Sequence, residues 1–134
     1  MQKNILIIED SDDDFEITET ALMDSEFENK IIRCKDGNEA LNYISDKTIS
    51  DLALIILDLN MPGLDGRFVL KQLKSNDEYK KVPVVILTTS VDRRDVDQCY
   101  GYGANTYIQK SFDYRKFQSA MQTLEKYWFS VATI

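Results

Sequence analysis

The 134-residue chain contains no histidine and has only five glycines, two prolines and two cysteines. The absence of histidine excludes His-based metal sites, Ser-His triads and imidazole acid–base chemistry. Cys34 and Cys99 fit no metal-ligand or redox spacing, so we expect both to be reduced thiols in the core. The chain also lacks a signal-peptide apolar region and any stretch of about 18 apolar residues. We therefore expect a cytoplasmic protein with no membrane partner.

Positive charge is scarce as well. There are 16 Lys and Arg residues against 23 Asp and Glu residues, which gives a net charge of -7 at pH 7. Such an acidic surface repels the phosphates of nucleic acids and anionic lipids, so we expect no nucleic-acid partner. Hydrophobic residues make up 43% of the chain, which is enough for one core. We expect a single domain over 1–134, with an apolar C-terminal extension at about 127–134.

Five short apolar segments alternate along the chain with segments of helical periodicity. One of them, Leu52–Leu57, is apolar on both faces, as strands covered by helices on both sides are. Ser11 and Asp92 are suitable caps for the first and fourth helices, and Gly103 fits the position just after the fourth. The predicted strands are 5–8, 30–34, 52–57, 82–87 and 106–108. This (βα)5 pattern predicts an α/β domain built on a doubly wound parallel sheet.

Polar side chains collect where these predicted strands end. Glu9 and Asp10 follow the first strand, Asp58 the third, Thr88 the fourth, and Lys110 the fifth. The carboxyl ends of parallel strands share one crevice, where the three carboxylates would repel each other unless a hard cation joined them. Oxygen ligands without His or Cys favour Mg²⁺. Together with a lysine and a hydroxyl that can hold phosphoryl oxygens, the set predicts a phosphoryl-transfer site with an aspartate nucleophile.

These segments resemble the receiver domain of two-component systems. The resemblance rests on Glu9-Asp10 after a buried strand, on Asp58–Gly66, on Leu87–Ser90 and on Tyr107–Lys110, and it extends from Asn4 to about Trp128. It implies a flavodoxin-like fold with strand order 2-1-3-4-5. It also implies a regulator that accepts a phosphoryl group from a sensor histidine kinase and loses it by slow autodephosphorylation, rather than an enzyme.

The resemblance assigns a role to each site residue. Asp58 would be the phosphoacceptor, and Mg²⁺ would be held by Glu9, Asp10, Asp58 and the backbone carbonyl of Asn60. Thr88 and Lys110 would bind the phosphoryl group. Thr88 would also form a switch pair with Tyr107, which turns inward behind it. Asn60 and Ser90 stand where family members tune the lifetime of the phosphoryl group.

One subgroup of receivers is more similar than the others. The Glu9-Asp10 pair, the acidic 11–14 stretch and the ending Tyr127–Val131 resemble the small regulators that are partnered with bacterial phytochromes. A bacterial phytochrome is therefore the expected kinase. With no DNA-binding or catalytic segment after the receiver, we expect signalling by protein contact or phosphorelay.

The apolar residues 127–134 predict a homodimer or a kinase-docking surface. The acids 12–14 favour a helix start, and Asp13 is the one that could border the metal.

One residue departs from the family pattern and keeps an alternative open. Most receivers have a cis proline after the lysine, but here Ser111 follows Lys110. A cis bond before a non-proline residue costs roughly 3–4 kcal/mol, so Lys110 either bears that strain or approaches by a trans route. A scaffold that works without phosphorylation therefore remains an alternative. A phosphatase of the Asp-x-Asp type is disfavoured by Asn60, and flavin binding by the lack of a Gly/Ser/Thr-rich loop after the first strand.

Overall fold

Five strands and five α-helices alternate in the computed structural model, which describes residues 3–23, 29–46 and 52–132. The strands are β1 (Lys3–Ile8), β2 (Asn29–Cys34), β3 (Leu52–Leu57), β4 (Val84–Thr88) and β5 (Thr106–Gln109). The helices are α1 (Asp12–Met23), α2 (Gly37–Ser45), α3 (Gly66–Ser75), α4 (Arg93–Gly101) and α5 (Tyr114–Lys126), and a π-helical turn (Tyr127–Val131) follows α5.

All the strand pairs are parallel, and the strand order is β2-β1-β3-β4-β5, which confirms the predicted fold. Alternate strand residues enter two separate cores. Leu6 and Ile8 of β1 face the helices α2, α3 and α4, whereas Ile5 and Ile7 face α1 and α5. Because both faces are covered, the strands can be apolar throughout. The carboxyl ends of the strands remain at one edge, where the polar side chains follow them.

Helix starts follow from local capping. The Ser11 hydroxyl accepts a hydrogen bond from Asp14 N at 3.2 Å, and the Asp92 carboxylate accepts one from Arg94 N at 2.9 Å, as the sequence predicted. Gly103 has φ 103°, which suits the position after α4. These caps satisfy backbone N–H groups that the first turn of a helix leaves without a partner.

The fourth strand begins two residues later than predicted. Pro83 has no N–H to donate to a neighbouring strand. The N–H of Val82 donates to the carbonyl of Tyr79 at 2.9 Å, which keeps Val82 in the preceding turn. The strand instead runs one residue further at its other end and includes Thr88. This extension carries the Thr88 hydroxyl to the edge where the other polar side chains lie.

The apolar residues of α5 and of the π-helical turn after it are only partly buried in the core. Phe117, Met121 and Leu124 are buried, and Trp128 packs against the same cluster from the π-helical turn. Tyr127 and Val131 are 50% and 63% exposed. The last two residues of the predicted extension, 133–134, lie outside the described residues. Both cysteines are buried, free thiols, as expected. Within the described residues, no helix has the length and apolar character needed to cross a membrane.

Candidate functional site

Three carboxylates converge at the carboxyl edge of the sheet. β1 and β3 are neighbours, and the Asp58 N–H donates to the Ile8 carbonyl at 3.0 Å, which fixes Asp58 beside Glu9 and Asp10. Each of the three acids offers an oxygen within 4.8 Å of the others. Glu9 is 3% exposed and Asp58 6% exposed, and Asp10 is half-buried. An all-oxygen set at this spacing fits a hard divalent cation such as Mg²⁺ or Mn²⁺.

Lys110 enters this cluster from the end of β5. Its ammonium Nζ lies 2.7 Å from Glu9 Oε1, 2.8 Å from Asp14 Oδ2 and 3.5 Å from Asp58 Oδ2. No peptide bond among the described residues is cis, so Lys110 arrives by the trans route. Its backbone N–H donates to the Thr88 carbonyl at 2.7 Å. Ser111 therefore does not prevent the lysine from reaching the acids, and the argument for a phosphorylation-independent scaffold is weakened.

Burial and neighbouring charges shift the pKa values of Glu9 and Lys110 in this cluster. Burial raises the pKa of Glu9 to about 7; the hydrogen bond from Lys110 opposes this rise and the charge of Asp58 adds to it. Burial alone would lower the pKa of Lys110, but hydrogen bonds to Asp14 and Glu9 and the charge of Asp58 raise it above its ordinary value. One ammonium therefore serves several carboxylates, and an added cation would relieve their repulsion.

Asp14, rather than Asp13, reaches the site from the first turn of α1. Asp13 is exposed and lines a shallow surface groove with Glu16 and Tyr114. Asp14 stands one helical turn before Thr18, which is buried and donates its hydroxyl to the Asp14 carbonyl at 2.9 Å. The four-residue spacing places both on the inner face of the helix. The four-residue spacing from Asp14 to Thr18 is therefore the feature of the sequence that indicates Asp14 as a site residue.

Asn60 connects Asp58 to Thr88. Its backbone N–H donates to Asp58 Oδ1 at 3.2 Å, and its side-chain Nδ2 donates to the Thr88 hydroxyl at 3.0 Å. Thr88 is fully buried at the end of β4. The Thr88 hydroxyl is thus held next to the acids by an exposed amide that can be displaced. Because the hydroxyl accepts this bond, its own O–H can donate to a group bound at Asp58.

Tyr107 lies behind Thr88 on β5. It is half-buried, its hydroxyl donates to the Ser90 carbonyl at 3.0 Å, and its backbone N–H donates to the Tyr100 hydroxyl at 3.0 Å. Burial raises the pKa of the Tyr107 hydroxyl, which keeps it a hydrogen-bond donor at neutral pH. The residue is therefore tied to the β4–α4 loop two positions beyond Thr88.

An ion-pair network that the sequence analysis missed supports the same loop. The Ser90 hydroxyl donates to Asp95 Oδ2 at 2.7 Å, and the Arg67 guanidinium bonds the other oxygen of Asp95. Arg67 also contacts Asp65 at 3.1 Å. The network joins the start of α3, the first turn of α4 and the loop after Thr88. Arg67 and Asp95, which link its two halves, are 28 residues apart in sequence, so only the fold brings them together.

Comparisons with known proteins agree on one family. The model of the response regulator receiver domain matches residues 5–122. Response regulator Rcp1 of Synechocystis is 34% identical over 136 residues, covering 98% of this chain and 92% of that protein. The polar-differentiation response regulator DivK of Brucella anthropi is 28% identical over 127 residues, covering 95% of this chain and 97% of that protein.

Solved structures give the same result. The phosphorylated cyanobacterial phytochrome response regulator RcpA superimposes with a TM-score of 0.92 at 34% identity, covering 99% of this chain and 98% of that one. The Mn²⁺-bound form of Rcp1 superimposes with a TM-score of 0.90 at 34% identity, covering 98% of each chain. These similarities extend over the whole sheet and the edge that carries the three carboxylates.

Proposed function

This chain belongs to the response-regulator receiver domain family, and we propose from that membership that it accepts a phosphoryl group on Asp58 from a sensor histidine kinase. The observation that carries the proposal is the position of Asp58. Asp58 is 6% exposed, its carboxylate has an oxygen within 4.8 Å of oxygens of Glu9 and Asp10, and its Oδ2 lies 3.5 Å from the Lys110 ammonium. We propose that residues 1–134 act as one receiver domain.

In the proposed reaction, an oxygen of Asp58 attacks the phosphorus of a phosphohistidine. The O–P bond forms as the P–N bond breaks, and the electron pair of that bond stays on the donor imidazole. The ammonium of Lys110 donates to a phosphoryl oxygen, and the O–H of Thr88, whose oxygen accepts from Asn60, donates to another. Lys110 and Thr88 are already joined by a backbone hydrogen bond of 2.7 Å, so the two donors are held in a fixed relation.

We propose that Mg²⁺ is the metal, and that Glu9, Asp10, Asp58 and the backbone carbonyl of Asn60 hold it. When bound, the ion neutralises charge on the acids and on the phosphoryl oxygens. Three carboxylates with oxygens within 4.8 Å of one another support a cation in this cluster, because its charge would relieve their repulsion. The Mn²⁺-bound form of Rcp1, a relative 34% identical, supports it as well.

We propose that the kinase is a bacterial phytochrome, because regulators of phytochromes are among the structures similar to this chain. Exposed apolar side chains near the site support docking of a protein. Phe112, two residues beyond Lys110, is fully exposed, and Ile17 and Tyr114 are 45% and 39% exposed.

Phosphorylation adds about two negative charges at Asp58. Thr88 and Tyr107 would respond to this charge by rearranging as a switch pair. The phosphorylated protein signals by protein contact or phosphorelay in the cytoplasm, with no nucleic-acid or membrane partner. Slow autodephosphorylation of Asp58 returns it to the unphosphorylated state.

The test is labelling with a small phosphodonor. Purified protein is incubated with acetyl phosphate, with Mg²⁺ or with EDTA, and its intact mass is measured. We expect one phosphoryl adduct in Mg²⁺, none in EDTA, and none for Asp58→Asn in either buffer. Asp97→Asn, at an exposed position of α4, is the matched control and is expected to be labelled like the wild type. An adduct that survives in Asp58→Asn would refute the assignment of Asp58.

A further inference from the structure

Arg33 is a mostly buried charged residue near the end of β2. It is the second-last residue of β2, and only 16% of its side chain is exposed. Its guanidinium points to the loop between β1 and α1. Nε and Nη2 donate to the Glu9 carbonyl at 3.3 and 3.1 Å, and Nη2 also lies 3.4 Å from the Asp10 carbonyl. The peptide groups of both acids thus face one rigid cation.

Two further contacts hold the guanidinium in place. Nη1 pairs with Asp12 Oδ1 at 2.7 Å, and the guanidinium carbon lies 4.6 Å from the centroid of the Phe15 ring. Asp12 is 79% exposed, so this ion pair by itself contributes little to stability. The ring of half-buried Phe15 on α1 provides a fixed surface for the planar cation. Arg33 is therefore positioned by α1 on one side and binds the loop carbonyls on the other.

From these contacts we propose that Arg33 is a positioning residue for divalent-cation binding. It fixes the backbone of Glu9 and Asp10 so that both carboxylates stay aimed at the site shared with Asp58. The inference rests on the proposed function, because it assumes that this cluster binds a cation. Without Arg33 the loop could adopt more orientations. Ordering the two carboxylates around a cation would then cost free energy, and the cation would bind more weakly.

A positive charge near a cation site also has the opposite effect, because it repels the incoming ion. This makes the proposal testable by the sign of the change. If Arg33 acts only through its charge, Arg33→Met should bind the metal more tightly and Arg33→Lys should bind it like the wild type. If Arg33 positions the loop, both variants should bind more weakly, because a lysine ammonium cannot reproduce the planar fork that spans two carbonyls and Asp12.

The experiment is titration of the unphosphorylated chain with Mn²⁺, with free Mn²⁺ measured by electron paramagnetic resonance. We expect the Kd of Arg33→Met and of Arg33→Lys to rise about tenfold, the lower end of the range for groups that orient metal ligands. Arg94→Met removes an exposed arginine that pairs with Asp92 on α4, and is expected to leave the Kd within about twofold of the wild type. Circular dichroism at each pH and temperature used verifies that the variants are folded.

The outcomes separate this inference from the proposed function. If the wild type binds no Mn²⁺, the metal assignment itself fails. If the wild type binds Mn²⁺ but both Arg33 variants bind it equally well or more tightly, the positioning role is refuted and the metal assignment stands. Should Arg33→Met not fold, Arg33→Lys, which keeps the charge and the long stem, decides alone: a Kd equal to that of the wild type overturns the inference.

Discussion

The ionisation of the Glu9 carboxylate depends on its burial. Burial raises its pKa from 4.5 to about 7. Between these two values the folded, metal-free protein keeps a proton on Glu9 that the unfolded chain has lost. The contribution of Glu9 to stability is therefore fully present below pH 4.5 and is lost as the pH rises to about 7. A cation bound next to Glu9 would remove this loss by stabilising the carboxylate.

The expected result is a fall in the free energy of unfolding, measured by urea denaturation in EDTA, as the pH rises from 4.5 to 7. Glu9→Gln cannot ionise and should show a smaller fall over the same window. Glu16→Gln, at an exposed position of α1, is the control and should follow the wild type. Equal pH dependence in the wild type and Glu9→Gln would contradict the raised pKa.

The residues of the site divide into those that the sequence predicted and those that it did not. The edge of a parallel sheet brings strand ends together, so Glu9, Asp58 and Lys110 could be grouped from the strand pattern alone. Asp14 and Arg33 are different, because their part in the site depends on helix phase and on side-chain reach. Arg33 follows two isoleucines in β2, but its partners at the site are the backbone carbonyls of Glu9 and Asp10, which leave no trace in the sequence.

Among the secondary-structure elements, α3 begins unusually close to the loop that carries Asp58. A Cβ on Gly66, the first residue of α3, would lie 2.5 Å from the Asp58 carbonyl oxygen and 2.7 Å from Leu59 Cα. Both neighbours are backbone atoms, which cannot rotate away as a flexible side chain can. Gly66 therefore allows the helix to pack directly against the backbone of Asp58 and Leu59.

We expect Gly66→Ala to lower the free energy of unfolding by about 1–3 kcal/mol, the usual cost of forcing extra volume into a packed site. It should also slow labelling of Asp58 by acetyl phosphate, because the loop must shift. The matched control is Gly101→Ala at the end of α4, where a Cβ would meet nothing within 4 Å. That variant should be neutral or more stable by up to about 1 kcal/mol, since alanine favours helix. Similar losses in the two variants, measured by urea denaturation, would rule out the steric explanation.

Element boundaries were predicted where one capping residue marks them and missed where several contacts set them. Asp92 and Gly103 mark the two ends of α4 through capping and a positive φ, and both effects belong to single residues. The later start of β4 follows from the missing N–H of Pro83 and the turn bond of Val82 to Tyr79. The π-helical turn Tyr127–Val131 has no comparable local signal, since it follows from packing Trp128 back onto the α5 core.

At the scale of the whole molecule, the alternation of strands and helices predicted a doubly wound parallel sheet, and the resemblance to receiver domains supplied the strand order that the structure confirms. Surfaces are less predictable, since an exposed and a buried aromatic residue look alike in sequence. The stripe after α5 illustrates this: Trp128 packs on the core, whereas Tyr127 and Val131 remain 50% and 63% exposed. Only the structure separates the residues that complete the core from those available to a partner.

The exposed C-terminal residues predict association of two copies of the chain. Tyr127 and Trp128 line a groove with Ile108 of β5 and Ala120 of α5. β5 is an outer strand of the sheet, so this apolar groove lies at an open edge. Burying the exposed apolar area would be favourable at about 25 cal/mol per Å². We therefore expect the full chain to sediment as a concentration-dependent dimer.

Removing residues 127–134 should shift the chain to monomer, but it also strips Trp128 from the core. The double variant Tyr127→Ser, Val131→Ser is the sharper test, because it changes only exposed positions and leaves Trp128 in place. It should weaken the dimer at least tenfold, about 1.4 kcal/mol, by analytical ultracentrifugation. The control pair Met23→Ser, Val91→Ser changes side chains that are 68% and 64% exposed elsewhere and should leave the dimer unchanged. A full chain that sediments as a monomer at all concentrations would refute the dimer and leave these residues to kinase docking.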